Sequence, residues 1–309
     1  MMCNSALMHP RNVFKTPPDY TQLAVKYADF RKVCQLSIDG KVILDLKRSE
    51  VLEQLTKVLL QEYFCLKLSL PPNCLVPTVP LRLNYILWLE DILEAYGAND
   101  VTGIDIGCGA SCIYCLISAK KNNWEMFALE SKDENLTYAK QNVQDNNLQN
   151  KITVFPQNDT SVIFGDLFKS VPENKYFNFC LCNPPFYDKE KLSGPSNRSG
   201  KRKPPKNAPT GTEEELSCDG GEITFIERII EDSLIFKNRI RVYTTMIASK
   251  VDTIEVLRML KKNDIINFTW TEFCQGNVTR WGVAWSFDSS LDLEKVPNIR
   301  KRQLGVADQ

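Results

Sequence analysis

Four adjacent residues have the types needed to activate an amino group. Asn183-Pro184-Pro185-Phe186 follows directly on the apolar run KYFNFCLC, 175–182. The exocyclic nitrogen of adenine is a poor nucleophile because its lone pair is delocalised into the ring. The side-chain oxygen of Asn183 and the carbonyl of Pro184 could each accept an N–H from that group, localising the lone pair and aiming it at an electrophilic methyl. Two successive prolines fix the carbonyl direction, and Phe186 offers a face on which a base can stack. No strong base is required, because the nitrogen loses its proton easily once methylated. Catalysis of this kind is mostly positioning and desolvation. An isolated Asn-Pro-Pro is also a common strand terminator. Its place at the C-terminal end of what reads as the fourth parallel strand, beside the first, favours chemistry, since open α/β sheets bind ligands at that switch point.

A second constellation could hold a nucleoside. IDIGCGASCIY (104–114) reads as a strand, a glycine turn and a helix start. Gly107 and Gly109 permit a tight turn and close approach of a ligand. Ser111 stands near a helix N-terminus, where an anionic group is favoured. Glu130 ends the next strand, 21 residues after Gly109, where an acid can bind both ribose hydroxyls. A dinucleotide is the competing ligand, but Cys112 occupies the third glycine place of GxGxxG. Asp105, just before the turn, suits the methionine part of S-adenosylmethionine.

Other chemistries find less support. His9 is the single histidine and falls in a segment read as a loop, so Ser–His or Cys–His catalysis is not expected. The eleven cysteines are odd in number and scattered, which favours reduced, buried thiols over a disulfide framework. Cys108, Cys112 and Cys115 lie close together but lack paired CxxC spacing, and no metal is expected. The 38 basic and 38 acidic residues balance to zero, so any nucleic-acid contact must come from local patches. No apolar run reaches the ~20 residues of a membrane span, and the first residues lack a signal-like apolar core.

The elements that must position these residues follow from periodicity. Residues 1–80 read as a separate α+β module: helical spacing at 19–30, two short strands around Asp39–Gly40, and an amphipathic helix at 49–64 capped by Ser49. Helical spacing returns at 81–97 and stops at a glycine. From 101 onward strand and helix alternate, which predicts a doubly wound, mostly parallel sheet. The last two strands are too close for a helical crossover and predict an antiparallel edge. The domain is bounded at 81–288, with a long polar loop at 187–220 and a flexible tail at 289–309.

With these motifs in place, the chain resembles a known family. IDIGCGAS, NPPF, PTVPLRLNYI (77–86) and TEFCQGNVTRW (271–281) occur in the order seen in the methyltransferase-like protein 16 family of RNA adenine-N6 methyltransferases. That family is related to a bacterial enzyme acting on large-subunit ribosomal RNA. The resemblance covers 8–288 and implies a class I, Rossmann-like methyltransferase fold with an N-terminal RNA-binding module. It implies S-adenosylmethionine as cofactor, and U6 small nuclear RNA and hairpins in S-adenosylmethionine synthetase messenger RNA as substrates. By motif match, Arg82, Gly107, Ser111, Glu130 and Asn183 bind the cofactor or sit against it. Pro184, Pro185 and Phe186 complete the pocket. A threonine contact after the third strand falls on Thr160, in a stretch, PQNDTSVIFGD, that is longer here. Longer members carry a further C-terminal RNA-binding region, so functions needing it are not expected of these 309 residues.

RNA contacts are expected mainly from the loop after Phe186. Between 188 and 206, Lys189, Lys191, Arg198, Lys201, Arg202, Lys203 and Lys206 oppose Asp188 and Glu190, a local charge of +7 − 2 = +5. Such composition reads by default as a solvated linker, but its place at the site rim suggests phosphate contacts and closure over the substrate. KRKPPK (201–206) also resembles a nuclear import signal, and a monomeric protein of the nucleus, with the cytoplasm as a second location, is expected. Lys15, Lys250 and Arg280 are further RNA candidates, whereas Trp281 and Trp285 read as core. Three alternatives stay open: methylation of a protein glutamine amide, which prefers tyrosine after Asn-Pro-Pro; a DNA adenine methyltransferase; and a non-catalytic RNA-binding scaffold.

Overall fold

The computed structural model describes residues 8–159, 161–188, 210–276 and 278–296. The N-terminal part carries α1 (Tyr20–Lys26), α2 (Ala28–Val33), a two-residue-per-strand hairpin of β1 (Gln35–Leu36) and β2 (Val42–Ile43), and α3 (Ser49–Phe64). The single helical segment expected at 19–30 is two helices, because Tyr27 takes extended backbone angles between them. Ser49 is the first residue of α3 rather than its cap. Arg48 holds the cap position without a side-chain bond.

The rest of the chain alternates. It runs α4 (Val79–Ala95), β3 (Thr102–Ile106), α5 (Ile113–Asn122), β4 (Glu125–Glu130), α6 (Asp133–Asp145), β5 (Ile152–Pro156), α7 (Gly165–Ser170) and β6 (Phe177–Cys182). Then follow β7 (Tyr187–Asp188), α8 (Glu213–Leu216), β8 (Ser217–Cys218), α9 (Gly221–Phe236), β9 (Ile240–Ile247), α10 (Lys250–Lys262), β10 (Phe268–Gln275) and β11 (Val278–Trp285). Helix α7 is a short helix between β5 and β6. The described ends of the expected 187–220 loop are structured, with β7 pairing parallel to β8.

Seven strands form one sheet in the order β10-β11-β9-β6-β3-β4-β5. β6 lies parallel beside β3, with Ile106 opposite Cys182. β11 is antiparallel to both β9 and β10, as the short final connection predicts. The chain is therefore a class I methyltransferase fold: a mostly parallel doubly wound sheet with an antiparallel edge.

The strand pleat divides the core between two faces. Ile104 and Ile106 of β3 join Cys180 and Cys182 in a cluster with Ile226, Ile229 and Ile230 of α9. On the other face, Phe179 and Leu181 pack with α4 and α5, and that cluster continues into Phe14, Leu23, Phe30, Leu59 and Leu60. The N-terminal part thus shares one apolar core with the sheet. Trp281 and Trp285 are buried, at 3% and 0% exposure. Among the described residues no helix is long and apolar enough to cross a membrane.

A polar strap also ties the N-terminus to α4. His9 is fully buried; its Nε2 pairs with Asp91 at 3.0 Å while Nδ1 accepts the Arg11 N–H at 3.2 Å. Asn84 accepts from both His9 N–H and Asn12 Nδ2 and donates to the Cys274 carbonyl on β10. The single histidine is thus a buried structural pin on the helix that presents Arg82.

Candidate active site

The site begins at the turn after β3. Gly107 and Gly109 have φ of +70° and +63°, a conformation in which only glycine is unstrained. A Cβ at either would meet no atom within 4 Å, so the space beside both is open to a ligand. Cys112, at the third glycine place, takes φ +48° despite its side chain, which is local backbone strain of about 1–3 kcal/mol.

Three long-range bonds hold this turn. The Cys108 N–H donates to the Leu129 carbonyl at 2.9 Å, and the Gly109 N–H donates to Glu130 Oε2 at 2.9 Å. Asn142, on the inner face of α6, donates to the Ala110 carbonyl at 2.9 Å while its Oδ1 accepts the Ser69 N–H at 2.7 Å. Glu130 Oε1 accepts the N–H groups of Ser131 and Lys132 at 2.9 and 3.0 Å. A carboxylate oxygen can accept about two bonds, so Oε2 keeps capacity for a further donor. Glu130 therefore has two duties available, clamping the glycine turn and presenting an anion to the cleft.

Asp105 faces α4 and α5 from the middle of the sheet and is fully buried. Its Oδ2 accepts from the Cys115 thiol at 3.6 Å, and its Oδ1 has no hydrogen-bond partner among the described residues. Burial pushes its carboxyl up to about 7; Glu130 pushes the same way, and the Cys115 bond and the Arg82 charge oppose it. Arg82, in the first turn of α4, is 7% exposed and lies 5.7 Å from the Tyr114 ring centroid. Arg82 lines the cleft as a buried cation, a place that complements an incoming carboxylate.

The end of β6 is held with equal care. The Cys182 N–H donates to the Tyr85 hydroxyl at 3.4 Å. That hydroxyl pairs with Thr244 Oγ1 at 2.7 Å, and Thr244 donates to the Cys180 carbonyl at 2.8 Å. The relay satisfies buried polar groups and fixes where Asn183 leaves the sheet. Asn183 Oδ1 is buried and without a partner among the described residues. Such an orphaned acceptor costs about 1–3 kcal/mol unless a ligand completes it.

These groups converge on one cleft of about 670 Å³. Arg82, Gly107, Gly109, Ser111, Glu130, Asn183, Pro184 and Pro185 all line it. Asp105 stands one layer behind, and Phe186 is half-buried beyond Pro185, with the Arg280 guanidinium 4.8 Å from its ring centroid. Lys15 and Lys250 are exposed and do not line the cleft. Thr160, Lys189, Lys191, Arg198, Lys201, Arg202, Lys203 and Lys206 lie outside the described residues, as does the centre of the basic loop. Sequence reasoning missed Tyr85, Tyr114, Asn142, Phe225 and Arg228. Asn142 carried a signal, a polar residue on the inward stripe of α6 formed by Leu136, Ala139 and Val143.

The model of a family described as RNA methyltransferase matches residues 2–289. The chain belongs to this RNA methyltransferase family. It is 51% identical over 286 residues to a Drosophila pseudoobscura pseudoobscura protein named U6 small nuclear RNA (adenine-(43)-N(6))-methyltransferase, covering 92% of this chain and 94% of that one. It is 40% identical over 306 residues to the Homo sapiens RNA N(6)-adenosine-methyltransferase METTL16, covering 97% of this chain and 54% of that one. Among solved structures, the hMettl16 catalytic domain in complex with the MAT2A 3'UTR hairpin 1 is similar with TM-score 0.84 and 39% identity, covering 94% of this chain and 98% of that one. The N-terminal domain of human METTL16 in complex with SAH is similar with TM-score 0.74 and 39% identity, covering 91% and 99%.

Proposed function

We propose that this chain transfers a methyl group from S-adenosylmethionine to the N6 amino group of an adenine in structured RNA, with U6 small nuclear RNA the favoured substrate. The observation that carries the reading is the Asn183 side-chain oxygen, buried, unpartnered, and set at the end of β6 on the wall of the glycine cleft. Relatives named for U6 methylation support the RNA, and the hairpin bound by hMettl16 supports messenger RNA hairpins as a second substrate class.

The residues fit the cofactor. Two glycines leave open space, Glu130 keeps acceptor capacity for ribose hydroxyls, and the buried Arg82 on the cleft wall complements a carboxylate, with the acid Asp105 one layer behind. S-adenosylmethionine supplies an electrophilic methyl when bound. Asn183 Oδ1 and the Pro184 carbonyl accept the two N–H bonds of the adenine amino group, which turns its lone pair toward the cleft. Phe186 stacks the base, and Pro184 and Pro185 keep the acceptors from relaxing. The proton released after transfer needs no buried base, because methylation makes the nitrogen acidic. The loop at 187–220 supplies phosphate contacts through Lys201, Arg202 and Lys203, and the same basic run directs the protein to the nucleus.

Incubation with methyl-labelled cofactor and separate RNA, DNA and protein pools tests the reading. Label should enter RNA as N6-methyladenosine by nuclease digestion and mass spectrometry. Label in protein glutamine, in DNA alone, or in no pool would overturn it. A fluorescent fusion excluded from nuclei would refute the localisation, and a nuclear fusion unaffected by neutralising KRKPPK would refute that run as the signal.

A further inference from the structure

Arg280 sits in a place that a phosphate-binding side chain would not be expected to occupy. It projects from β11, and its guanidinium lies 4.8 Å from the Phe186 ring centroid. Its Nη1 donates to the carbonyl of its own neighbour Thr279 at 3.0 Å, while Nε is buried without a hydrogen-bond partner among the described residues. Burial lowers its pKa, the nearby Arg82 charge adds to the lowering, and Glu222 counters it. Glu222, in the first turn of α9, is 5% exposed; its Oε1 accepts the Ala248 N–H at 2.8 Å, and Oε2 is unpartnered. Burial pushes the Glu222 carboxyl up to about 8, so it does not fully neutralise Arg280 at physiological pH. The best electrostatic partner left to the cation is the negative face of the Phe186 ring.

We infer that Arg280 is a positioning residue whose guanidinium holds the Phe186 ring on one face so that the other face receives the target base. The inference rests on the reading of Phe186 as the stacking platform. A ring free to rotate would let the adenine amino group drift from Asn183 Oδ1 and the Pro184 carbonyl, and displacement of about 1 Å can cost about a hundredfold in rate. A cation against one face both restricts the ring and leaves a flat apolar surface opposite. The same geometry explains why an arginine stands next to Arg82 in spite of the like charges: its target is a ring rather than an anion.

The test compares the full chain with Arg280→Met and Arg280→Lys, in wild-type and Phe186→Leu backgrounds. Arg280→Met should lower turnover by about tenfold to a hundredfold, leave RNA and cofactor dissociation constants within about threefold, and leave the slope of log K against log salt unchanged. Arg280→Lys, which keeps a cation, should recover most of the rate. In the Phe186→Leu background Arg280→Met should cost nothing more, because the interaction is already gone. RNA carrying 2-aminopurine at the target position adds a direct readout. Its fluorescence should be quenched by stacking in the wild-type complex and regain intensity with Arg280→Met. A salt slope reduced by about 0.7–0.9 with weakened RNA binding would make Arg280 a phosphate contact instead. Equal losses in both backgrounds would show that it does not act through Phe186. Unchanged turnover in Phe186→Leu would refute the platform itself, separately from Arg280.

Discussion

The buried acid behind the glycine turn makes cofactor binding depend on pH in a direction that can be worked out. Asp105 is pushed up to about 7, first by burial and then by Glu130. The ammonium and sulfonium charges of the cofactor favour the ionised carboxylate, so binding lowers that pKa and releases a proton wherever the free protein still holds one. Affinity should therefore rise with pH up to about 7 and flatten above it. At pH 6, one unit below the free value, affinity should be about tenfold weaker than on the plateau, or about 1.4 kcal/mol, and at pH 5 about a hundredfold weaker. Titration calorimetry with S-adenosylmethionine in the absence of RNA, in two buffers of different ionisation enthalpy, reads both the affinity and the proton released. The window should stop near pH 7.5, because a free α-amino group itself titrates at about 7.7–8.0. Asp105→Asn should bind weakly with no slope. For the ligand-free fold the sign is the reverse. A carboxyl whose folded pKa exceeds its unfolded value contributes stability that is fully present below the unfolded pKa and is lost as pH rises through about 7. Melting temperatures of wild type relative to Asp105→Asn should therefore fall between about pH 4 and pH 7. A flat wild-type affinity profile, or a slope that survives in Asp105→Asn, would refute the assignment.

Three further outcomes follow from the same geometry. Glu130→Ala should weaken cofactor binding by about 1.5–3 kcal/mol, the scale of a charge-assisted hydrogen bond, and should also lower the melting temperature because the Gly109, Ser131 and Lys132 N–H groups lose their acceptor; calorimetry and thermal unfolding check both, and unchanged affinity would sink the role. Asn183→Ala should reduce single-turnover methylation at least about a hundredfold, roughly 2.7 kcal/mol of barrier, with little change in RNA affinity and no loss of ligand-free stability, since Oδ1 makes no bond within the described protein. Neutralising Lys201, Arg202 and Lys203 should flatten the salt dependence of RNA binding by about 0.7–0.9 in slope per lost phosphate contact while cofactor affinity holds; an unchanged slope would make the loop a solvated linker.

Several parts of this architecture were legible because they are written locally. The alternation from 101 onward is a switch between periods of 2 and 3.6, which neighbouring residues establish among themselves. The glycine pair permits positive φ without strain, and Asn-Pro-Pro ends a strand by its own stereochemistry. The misreadings are local too: Tyr27 takes extended backbone angles and divides one apparent helix into two, and Arg48, without a side-chain bond, occupies the cap position expected of Ser49.

By itself the sequence determined a glycine turn after one strand, an acid ending the next, and an Asn-Pro-Pro-Phe ending the fourth, and the family motifs pointed to methyl transfer on RNA. The sequence also placed the fourth strand beside the first; only the tertiary structure set the register, with Ile106 opposite Cys182, and brought Asn183 and Gly107 onto the wall of one cleft. It also decided that Glu130 clamps the turn it faces, that His9 pins α4 through Asp91, and that Arg280 meets Phe186 from a strand 94 residues further on. Backbone preference acts over a few residues and survives in the sequence. Desolvation, which lifts Asp105 to about 7, and the pairing of distant side chains exist only once the sheet has closed around them.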